Sequence, residues 1–195
     1  MTIYTIKPLG TDTWDDFARL IERQGKGSMG ASFCWCTNFH PPAPDDNRSS
    51  EGRRAHKEQL VSHGRAHAAL VFDGDLAVGW CQFGSPEELP GIHHRKDYEG
   101  GLVALPHYRL TCIYVDKAYR KRGVAAAALR GALDLIASAG GGVVEGYPHD
   151  IPEGKTVSAS FLYNLTRSVY EEAGFTHQRP KGKSNCVMTI TVPPH

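Results

Sequence analysis

The chain has 195 residues, of which 41% are hydrophobic and 22% are charged, and its formal net charge at pH 7 is +1. This composition is typical of a globular protein and excludes disordered and fibrous classes, while the small net charge offers no global field to gather nucleic acid or an anionic membrane. The length suits one sizeable core, and we expect a single domain over residues 1–195.

The amino terminus and the cysteines indicate a cytoplasmic protein without a membrane partner. The opening MTIYTIKPLG lacks a basic region followed by an apolar run, and no stretch approaches the roughly 18 apolar residues of a spanning helix. The chain has five cysteines, an odd number at irregular spacings. This pattern fits reduced thiols better than a disulfide framework.

Helix and turn signals organise the first half of the chain. A short strand pattern at 3–7 precedes the amphipathic run TDTWDDFARLIER, which predicts a first helix. The turn-rich stretch 27–50 predicts a long loop, and SSEGRRAHKEQLVSHG predicts a second helix capped by Ser50 and ended by Gly64. Two apolar patterns on either side of Asp73-Gly74 predict a hairpin.

Strands and helices alternate in the second half. The patterns predict, in order, a linker over 85–101, a central strand over 109–116, a helix after a basic triplet, a strand within 140–148, a helix over 158–175 closed by Gly174, and a last strand over 185–192. A hairpin followed by such alternation predicts an α/β fold with a mixed sheet.

The run VDKAYRKRGVA places a basic triplet, Arg120–Arg122, between a predicted strand and a predicted helix. The first N–H groups of a helix lack partners within it and carry a partial positive charge, so they suit phosphate oxygens. Gly123 lets an anion approach the backbone, and Ala125 and Ala126 keep the first helical turn small. The alternative is a solvated basic face before an ordinary helix.

The segment Arg120-Lys121-Arg122-Gly123-Val124-Ala125 resembles the acyl-CoA signature of the GNAT superfamily of N-acetyltransferases. A second segment, VYEEAGF at 169–175, is similar to the helix-end pattern of the same superfamily. The two matches cover roughly residues 109 to 176, and the first hundred residues are compatible only in element order. The resemblance implies a GNAT-like fold, a mostly antiparallel central sheet with splayed strands four and five flanked by helices.

The resemblance also implies how acetyl-CoA binds as the acyl donor, with no metal. Backbone amides from Arg122 to Ala126 would hold the pyrophosphate, and pantetheine would pair with strand four like an added strand. The implied cofactor-binding residues are Ile113, Tyr114, Val115, Arg120, Lys121, Arg122, Gly123, Val124, Ala125 and Ala126.

Acyl transfer to an amine needs a stabilised oxyanion and an acid for the departing thiolate. By resemblance, the N–H of Ile113 or Tyr114 would stabilise the oxyanion, and Tyr170 would protonate the sulfur, since a phenol of pKa about 10 is mostly protonated at neutral pH. The alternative for Tyr170 is simple packing between helix and sheet. Asn164 lies about one residue from the position where the superfamily pattern would place an asparagine.

The predicted strand four offers no carboxylate as a general base, because RLTCIYV contains no Asp or Glu. Glu145, in an otherwise apolar strand, is the best candidate, since burial would raise the pKa of its carboxyl toward a useful value. The alternatives are that Glu145 points outward or pairs with an arginine. Asp150, Glu99 and a water relay stay open as other bases.

The Cys34-Trp35-Cys36 motif and several histidines raise the question of a metal. Zinc sites more often use wider cysteine spacing, and His63 and His67 straddle a glycine instead of sharing one helix face. We expect an aromatic loop that closes over the acceptor pocket, with walls formed by Phe33, Trp35 and Phe39. His40 accompanies the cysteines, and His93-His94 is interpreted as a solvated pair, with lining of the acceptor cleft as the alternative.

The sequence therefore predicts an N-acetyltransferase that moves an acetyl group to a primary amine by direct attack. One alternative is a non-catalytic acyl-CoA-binding module, and another is a covalent route through Cys112. A third is a nucleic-acid-binding domain using Arg53, Arg54 and Lys57, which the near-neutral charge disfavours. The acceptor is open between a small-molecule amine, a polyamine, an antibiotic and a protein amino group. Dimers are common in the superfamily, so a homodimer is also an expectation.

Overall fold

A mixed β-sheet lies at the centre of the computed structural model, which describes residues 3–23, 34–151 and 163–195. In chain order, the elements are β1 (Thr5–Pro8), α1 (Trp14–Glu22), α2 (Ser50–Ser62), β2 (His67–Asp73), β3 (Leu76–Gly84), α3 (Arg95–Gly100), β4 (Tyr108–Val115), α4 (Val124–Ser138), β5 (Gly142–Gly146), α5 (Arg167–Glu172), β6 (Thr176–Lys181) and β7 (Asn185–Val192). A short 3-10 helix, Lys117–Tyr119, lies between β4 and α4.

The strand order in the described residues is β1-β2-β3-β4-β5-β7-β6, and only the β4–β5 pair is parallel. That pair is short, since Tyr108 to Leu110 face Val144 to Gly146 and the pairing then stops. Strand β4 continues to Val115, so its last residues face a gap instead of β5. The predicted α/β fold, with strands four and five splayed, is confirmed.

Helix α4 covers one face of the sheet and fixes where the turn before it lies. It packs against β1, β2, β3 and β4. Its buried residues Ala128, Leu129, Ala132 and Ile136 recur at helical spacing and join one hydrophobic core. Burying a Leu or Ile side chain contributes about 1.5–3 kcal/mol, so this stripe holds the helix to the sheet.

Helices α1 and α2 contribute to a second core on other side chains of β2 and β3. Phe17 and Leu20 of α1 are fully buried there with Trp80 of β3. The predicted helix cap is one residue off, because Ser49 Oγ accepts from Gly52 N at 3.0 Å. In the part of the chain that the structure describes, no helix is both long and apolar enough to cross a membrane.

The structure differs from the predicted elements in three places. The predicted linker 85–101 contains the short helix α3. Strand β6, THQRPK, was not predicted because its polar residues and Pro180 are unusual in strands, but β6 is an edge strand, where proline is tolerated. Within the predicted helix 158–175, the helix α5 spans Arg167–Glu172, the described residues 163–166 are not helical, and residues 158–162 lie outside the described ones.

Candidate active site

The basic turn follows β4 and is held from behind by Asp116. One carboxylate oxygen of Asp116 accepts from Ala118 N at 2.9 Å, and the other accepts from Arg23 Nε at 3.1 Å and Nη2 at 2.9 Å. The residues Arg120–Arg122 are exposed. Gly123 has φ +80°, with open space where a Cβ would lie. The turn is therefore fixed on its inner side and open on its outer side.

Helix α4 starts at Val124, directly after this glycine. The carbonyl of Gly123 accepts from Ala127 N at 3.0 Å, which is the first bond of the helix. The N–H groups of the residues between them have no partner within the helix, and Gly123 supplies no side-chain cap. Because Ala125 and Ala126 carry only methyl groups, an anion can reach these N–H groups and the positive end of the helix dipole.

The backbone edge of β4 that was predicted to pair with pantetheine borders the gap between β4 and β5. The N–H of Ile113 donates to Tyr163 O at 2.6 Å, so a later chain segment contacts β4 where β5 does not. The β3–β4 register shifts between the Gln82–Cys112 and Phe83–Leu110 pairs, which leaves Thr111 as an extra residue. Such a bulge bends a strand and re-aims its groups, here just before the gap.

The resemblance implies that Ile113, Tyr114 and Val115 bind pantetheine, and the side chains of these three residues hold this edge in place. Ile113 is buried in the core beneath α4. The ring of Tyr114 stacks on Trp80 with 4.5 Å between centroids, and Val115 is half-buried. Packing on both faces of the sheet therefore holds the backbone of β4 in place at the gap.

Tyr170, the predicted acid, is fully buried in α5. Its ring packs edge-on against Phe175 at 4.9 Å between centroids and lies so close to Gly146 that a side chain there would overlap it. Among the described residues, its hydroxyl has no hydrogen-bond partner. Burial holds the pKa of Tyr170 well above its usual value, so the phenol keeps its proton at neutral pH.

Glu145, the predicted base, is buried in β5 and bonded to two phenols. Its Oε2 accepts from Tyr98 Oη and from Tyr147 Oη, each at 2.8 Å. Arg109 lies opposite Glu145 in the β4–β5 register and donates to Tyr98 Oη at 3.3 Å. The tyrosine ring also lies 5.3 Å from the guanidinium carbons of Arg109 and Arg179. Glu145 therefore lies near an arginine, as one alternative expected, but Tyr98 lies between Glu145 and Arg109 and bonds to both.

A cavity of about 230 Å³ lies on the Tyr147 side of this cluster. Phe39 and Tyr163 form part of its wall, and His93 and His94 line it, which was the alternative interpretation of the histidine pair. Trp35, predicted as another wall, is instead a core residue that stacks on Trp14. Phe33 lies outside the described residues.

Lys181 also lines this cavity, and no sequence pattern had singled it out. It is 3% exposed, and its Nζ donates to His93 O at 3.0 Å and lies 5.0 Å from the Tyr147 ring centroid. Burial lowers the pKa of Lys181 to about 8. Asn164 lines the same cavity, and its buried Oδ1 has no hydrogen-bond partner among the described residues.

A buried polar cluster lies against β4 on the side of α2. Lys57, which is 1% exposed, donates to Gln82 Oε1 at 2.6 Å and contacts His40 Nε2 at 2.9 Å. The other imidazole nitrogen, Nδ1, faces Glu88 O at 3.0 Å, so Nδ1 carries the proton and Nε2 accepts from Lys57. Lys57 is therefore not the surface cation that the nucleic-acid alternative required.

Two cysteines accompany this lysine. Burial acts to raise the pKa of Cys36, but a hydrogen bond from Cys112 and the charge of Lys57 outweigh it and lower that pKa. The same hydrogen bond, together with burial, raises the pKa of Cys112 well above its usual value. Burial also lowers the pKa of Lys57. Periodicity could not have revealed this cluster, because its members come from a loop, a helix and two strands.

One group of described residues could hold a metal ion. Asp150, His177 and Cys186 bring one carboxylate, one imidazole and one thiol within 4.8 Å of one another. Arg167 also lies 3.6 Å from Asp150 and would compete with a cation for that carboxylate.

The sheet parts between its fourth and fifth strands, beside a helix start whose N–H groups have no partner within the helix. The model of the acetyltransferase (GNAT) family matches residues 33–146, which include β4, the basic turn and β5. Because the match spans more than half of the chain, the protein belongs to this family and is a transferase enzyme. The resemblance inferred from the sequence is confirmed.

Solved structures share the fold. YncA from Salmonella typhimurium, solved with its cofactor acetyl-CoA, is 15% identical with a TM-score of 0.55, over 98% of this chain and 95% of that one. A GNAT-family protein from Desulfovibrio desulfuricans is 16% identical with a TM-score of 0.54, over 97% and 99%. The ribosomal-protein-S18-alanine N-acetyltransferase from Escherichia coli is 14% identical with a TM-score of 0.51, over 99% and 96%. A search of curated proteins gives no match.

Proposed function

We propose that this protein is an acetyl-CoA-dependent N-acetyltransferase that transfers an acetyl group to a primary amine by direct attack. The observation that carries the proposal is the adjacency of two open features. The turn at Gly123 presents N–H groups that have no partner within the helix, and the strand leading into it, β4, borders a gap. The first suits a pyrophosphate, and the second suits the amides of pantetheine.

Each of these two features would bind one part of the donor, acetyl-CoA. The backbone amides from Arg122 to Ala126 would hold the pyrophosphate, with Arg120 and Lys121 adding charge around it. Pantetheine would run along Ile113–Val115 as an added strand. The acetyl-CoA in the YncA structure supports acetyl-CoA as the donor for this fold.

The reaction follows from the groups at the gap. The neutral amine attacks the thioester carbon, and the N–H of Ile113 or Tyr114 would donate to the oxyanion that forms. When the C–S bond breaks, Tyr170 would give its proton to the departing thiolate, and its raised pKa means that the phenol still carries this proton at neutral pH. The amine proton would pass to Glu145 through Tyr147, which lines the cavity and donates to the carboxylate.

The state of the cysteines supports two parts of this proposal, the direct attack and the location of the protein. The thiol of Cys112 has a raised pKa and is a poor nucleophile while protonated, which favours direct attack over a covalent route. All five cysteines lie among the described residues and none forms a disulfide, which supports a reducing, cytoplasmic location.

We also propose one domain over residues 1–195 and a small-molecule or protein amine as the partner. A homodimer stays a prediction, to be checked by light scattering.

Thermal-shift titration with acetyl-CoA tests the donor site. A ligand at about 100 times its Kd adds roughly 2.7 kcal/mol to the free energy of unfolding. We expect Gly123→Glu to abolish the shift, because it adds a side chain and a negative charge at the turn. Gly140→Glu is the matched control, since Gly140 also has positive φ, with open space around it, but follows the other end of α4.

Release of free CoA with a panel of amines then separates an enzyme from a binding module. Acetyl-CoA binding with turnover supports the proposal. Binding without turnover of any amine would favour the non-catalytic module, and no shift in the wild-type protein would overturn the donor site itself.

A further inference from the structure

We propose that the acceptor is a small amine that also carries a carboxylate, as an amino acid does, and that Lys181 binds this carboxylate in the cavity beside Tyr147. The inference rests on the proposed acetyltransferase function and adds the chemical class of the acceptor.

The cavity lies next to the proposed reaction centre. Tyr163 forms part of its wall, and the carbonyl of the same residue accepts the hydrogen bond from Ile113 N in the gap. Tyr147, which also lines the cavity, donates to Glu145. An acceptor in this cavity would thus lie between the oxyanion donor and the proton acceptor.

The charge of the cavity favours an anionic group on the acceptor. None of its described lining residues is Asp or Glu, whereas Lys181 is a buried cation within it. Lys181 forms no ion pair with a described carboxylate, and the groups that act on its ammonium from farther away are Cys186, Arg179, Asp97 and Glu145. Burial raises the pKa of Cys186 to about 11, so its thiol carries no charge at neutral pH. A polyamine would therefore meet a like charge here without a compensating carboxylate.

Two cavity side chains, Lys181 and Asn164, have unused hydrogen-bonding capacity that the carboxylate and the amine of an amino acid can fill. An ammonium has three donors, and the described hydrogen bonds of Lys181 Nζ use one of them, to His93 O, while the Tyr147 ring lies 5.0 Å away. A substrate carboxylate can accept from the others. Asn164 Oδ1 is a buried acceptor without a partner among the described residues, and an amine N–H can satisfy it. A volume of about 230 Å³ suits an acceptor of amino-acid size.

Matched substrate pairs provide the test. Each amino acid in a panel is compared with its decarboxylated amine and with its amide, at saturating acetyl-CoA, by release of free CoA. We expect at least one amino acid to exceed both analogues in kcat/KM by roughly 10-fold or more, as expected for a charge-assisted hydrogen bond. Spermidine and a short peptide with a free N-terminal alanine complete the panel.

Variants assign the effect to the lysine. Lys181→Met should raise KM for the amino acid and reduce its advantage over the decarboxylated amine, while Lys181→Arg should keep much of it. The exposed Lys183, two residues away and outside the cavity lining, gives the matched control Lys183→Met. Acetyl-CoA thermal shifts show whether each variant is folded, and the wild-type pairs decide the question if Lys181→Met is not.

The failures of the two proposals are distinguishable. Equal or better turnover of the decarboxylated amine, the amide, spermidine or the peptide would overturn the carboxylate site and leave the acetyltransferase function intact. Acetyl-CoA binding without turnover of any amino acid would also overturn it. No acetyl-CoA binding and no CoA release with any amine would instead overturn the proposed function.

Discussion

The backbone N–H of Ile113 donates a 2.6 Å hydrogen bond to the carbonyl oxygen of Tyr163 in the gap where β4 leaves β5. This N–H is one of the two proposed oxyanion donors, and it lies on the edge proposed to pair with pantetheine. The chain's own backbone therefore takes a hydrogen bond that the donor or the oxyanion would need.

Acetyl-CoA binding is expected to break the bond between Ile113 and Tyr163, because one N–H cannot serve both partners at full strength. Saturating acetyl-CoA should move the amide resonance of Ile113 in a heteronuclear NMR spectrum. Val71, buried in β2 away from the gap, is the internal control and should move little. An unchanged Ile113 amide in a saturated complex would contradict the proposed path of pantetheine.

Substitution of Gly146 should destabilise the fold through Tyr170. A Cβ at Gly146 would overlap the tyrosine ring, which is fully buried and has no free space to enter. We expect Gly146→Ala to lower the free energy of unfolding by about 1–3 kcal/mol, the usual cost of overpacking. Denaturant unfolding measures it, with Gly100→Ala as the control, because Gly100 has open space around it. Equal stability of the two variants would show that Tyr170 does not pack as described.

Tyr98→Phe should cost about 1–3 kcal/mol of stability, because Glu145 loses a buried donor and Arg109 loses a buried acceptor. Tyr108→Phe is the control, since Tyr108 is only half-buried in the next strand. Chemical unfolding at neutral pH compares the two. A Tyr98→Phe protein as stable as the control would mean that these buried charges do not depend on the phenol.

Acid should destabilise the protein through His40. Burial and the charge of Lys57 lower the pKa of His40 from 6.5 to about 2, so below pH 6.5 the unfolded chain binds a proton that the folded chain does not. Stability from this group is full above that pH and falls by about 1.4 kcal/mol per pH unit on acidification. His40→Gln should flatten the slope between about pH 5.5 and 4, measured by urea unfolding.

His63→Gln is the control for this slope, because His63 is exposed at the end of α2. The free energy of unfolding of the His63→Gln protein should depend on pH as that of the wild-type protein does. A His40→Gln protein with the wild-type slope would show that the imidazole is not buried in its neutral form.

Incubation with acetyl-CoA alone should not acetylate Cys112. Its hydrogen bond with Cys36 and its burial raise the pKa of the thiol, so little thiolate is present to attack a thioester. Mass spectrometry of peptides after incubation at neutral pH checks this, and Cys112→Ala should keep the capacity for turnover. A rapidly formed thioester on Cys112 that an amine then discharges would establish the covalent route instead.

The sequence by itself determined the features whose signals are local. The Asp73-Gly74 turn, the helix-ending Gly174 and the glycine at the start of α4 each depend on a few neighbouring residues, and each has the positive φ that favours glycine at its predicted place. The fold class followed because such local elements, in this order, leave few ways to pair the strands. The glycine turn before α4 was therefore predictable.

Only the tertiary structure decided which distant groups meet. Glu145 faces Arg109 because β4 and β5 pair in one particular parallel register, and Tyr98 reaches both from a helix that was predicted as linker. Lys57 and Lys181 lie in polar sequences that are typical of a surface, yet both are buried. Their burial depends on backbone and side-chain acceptors that are distant in sequence, and periodicity records only which face of an element is apolar.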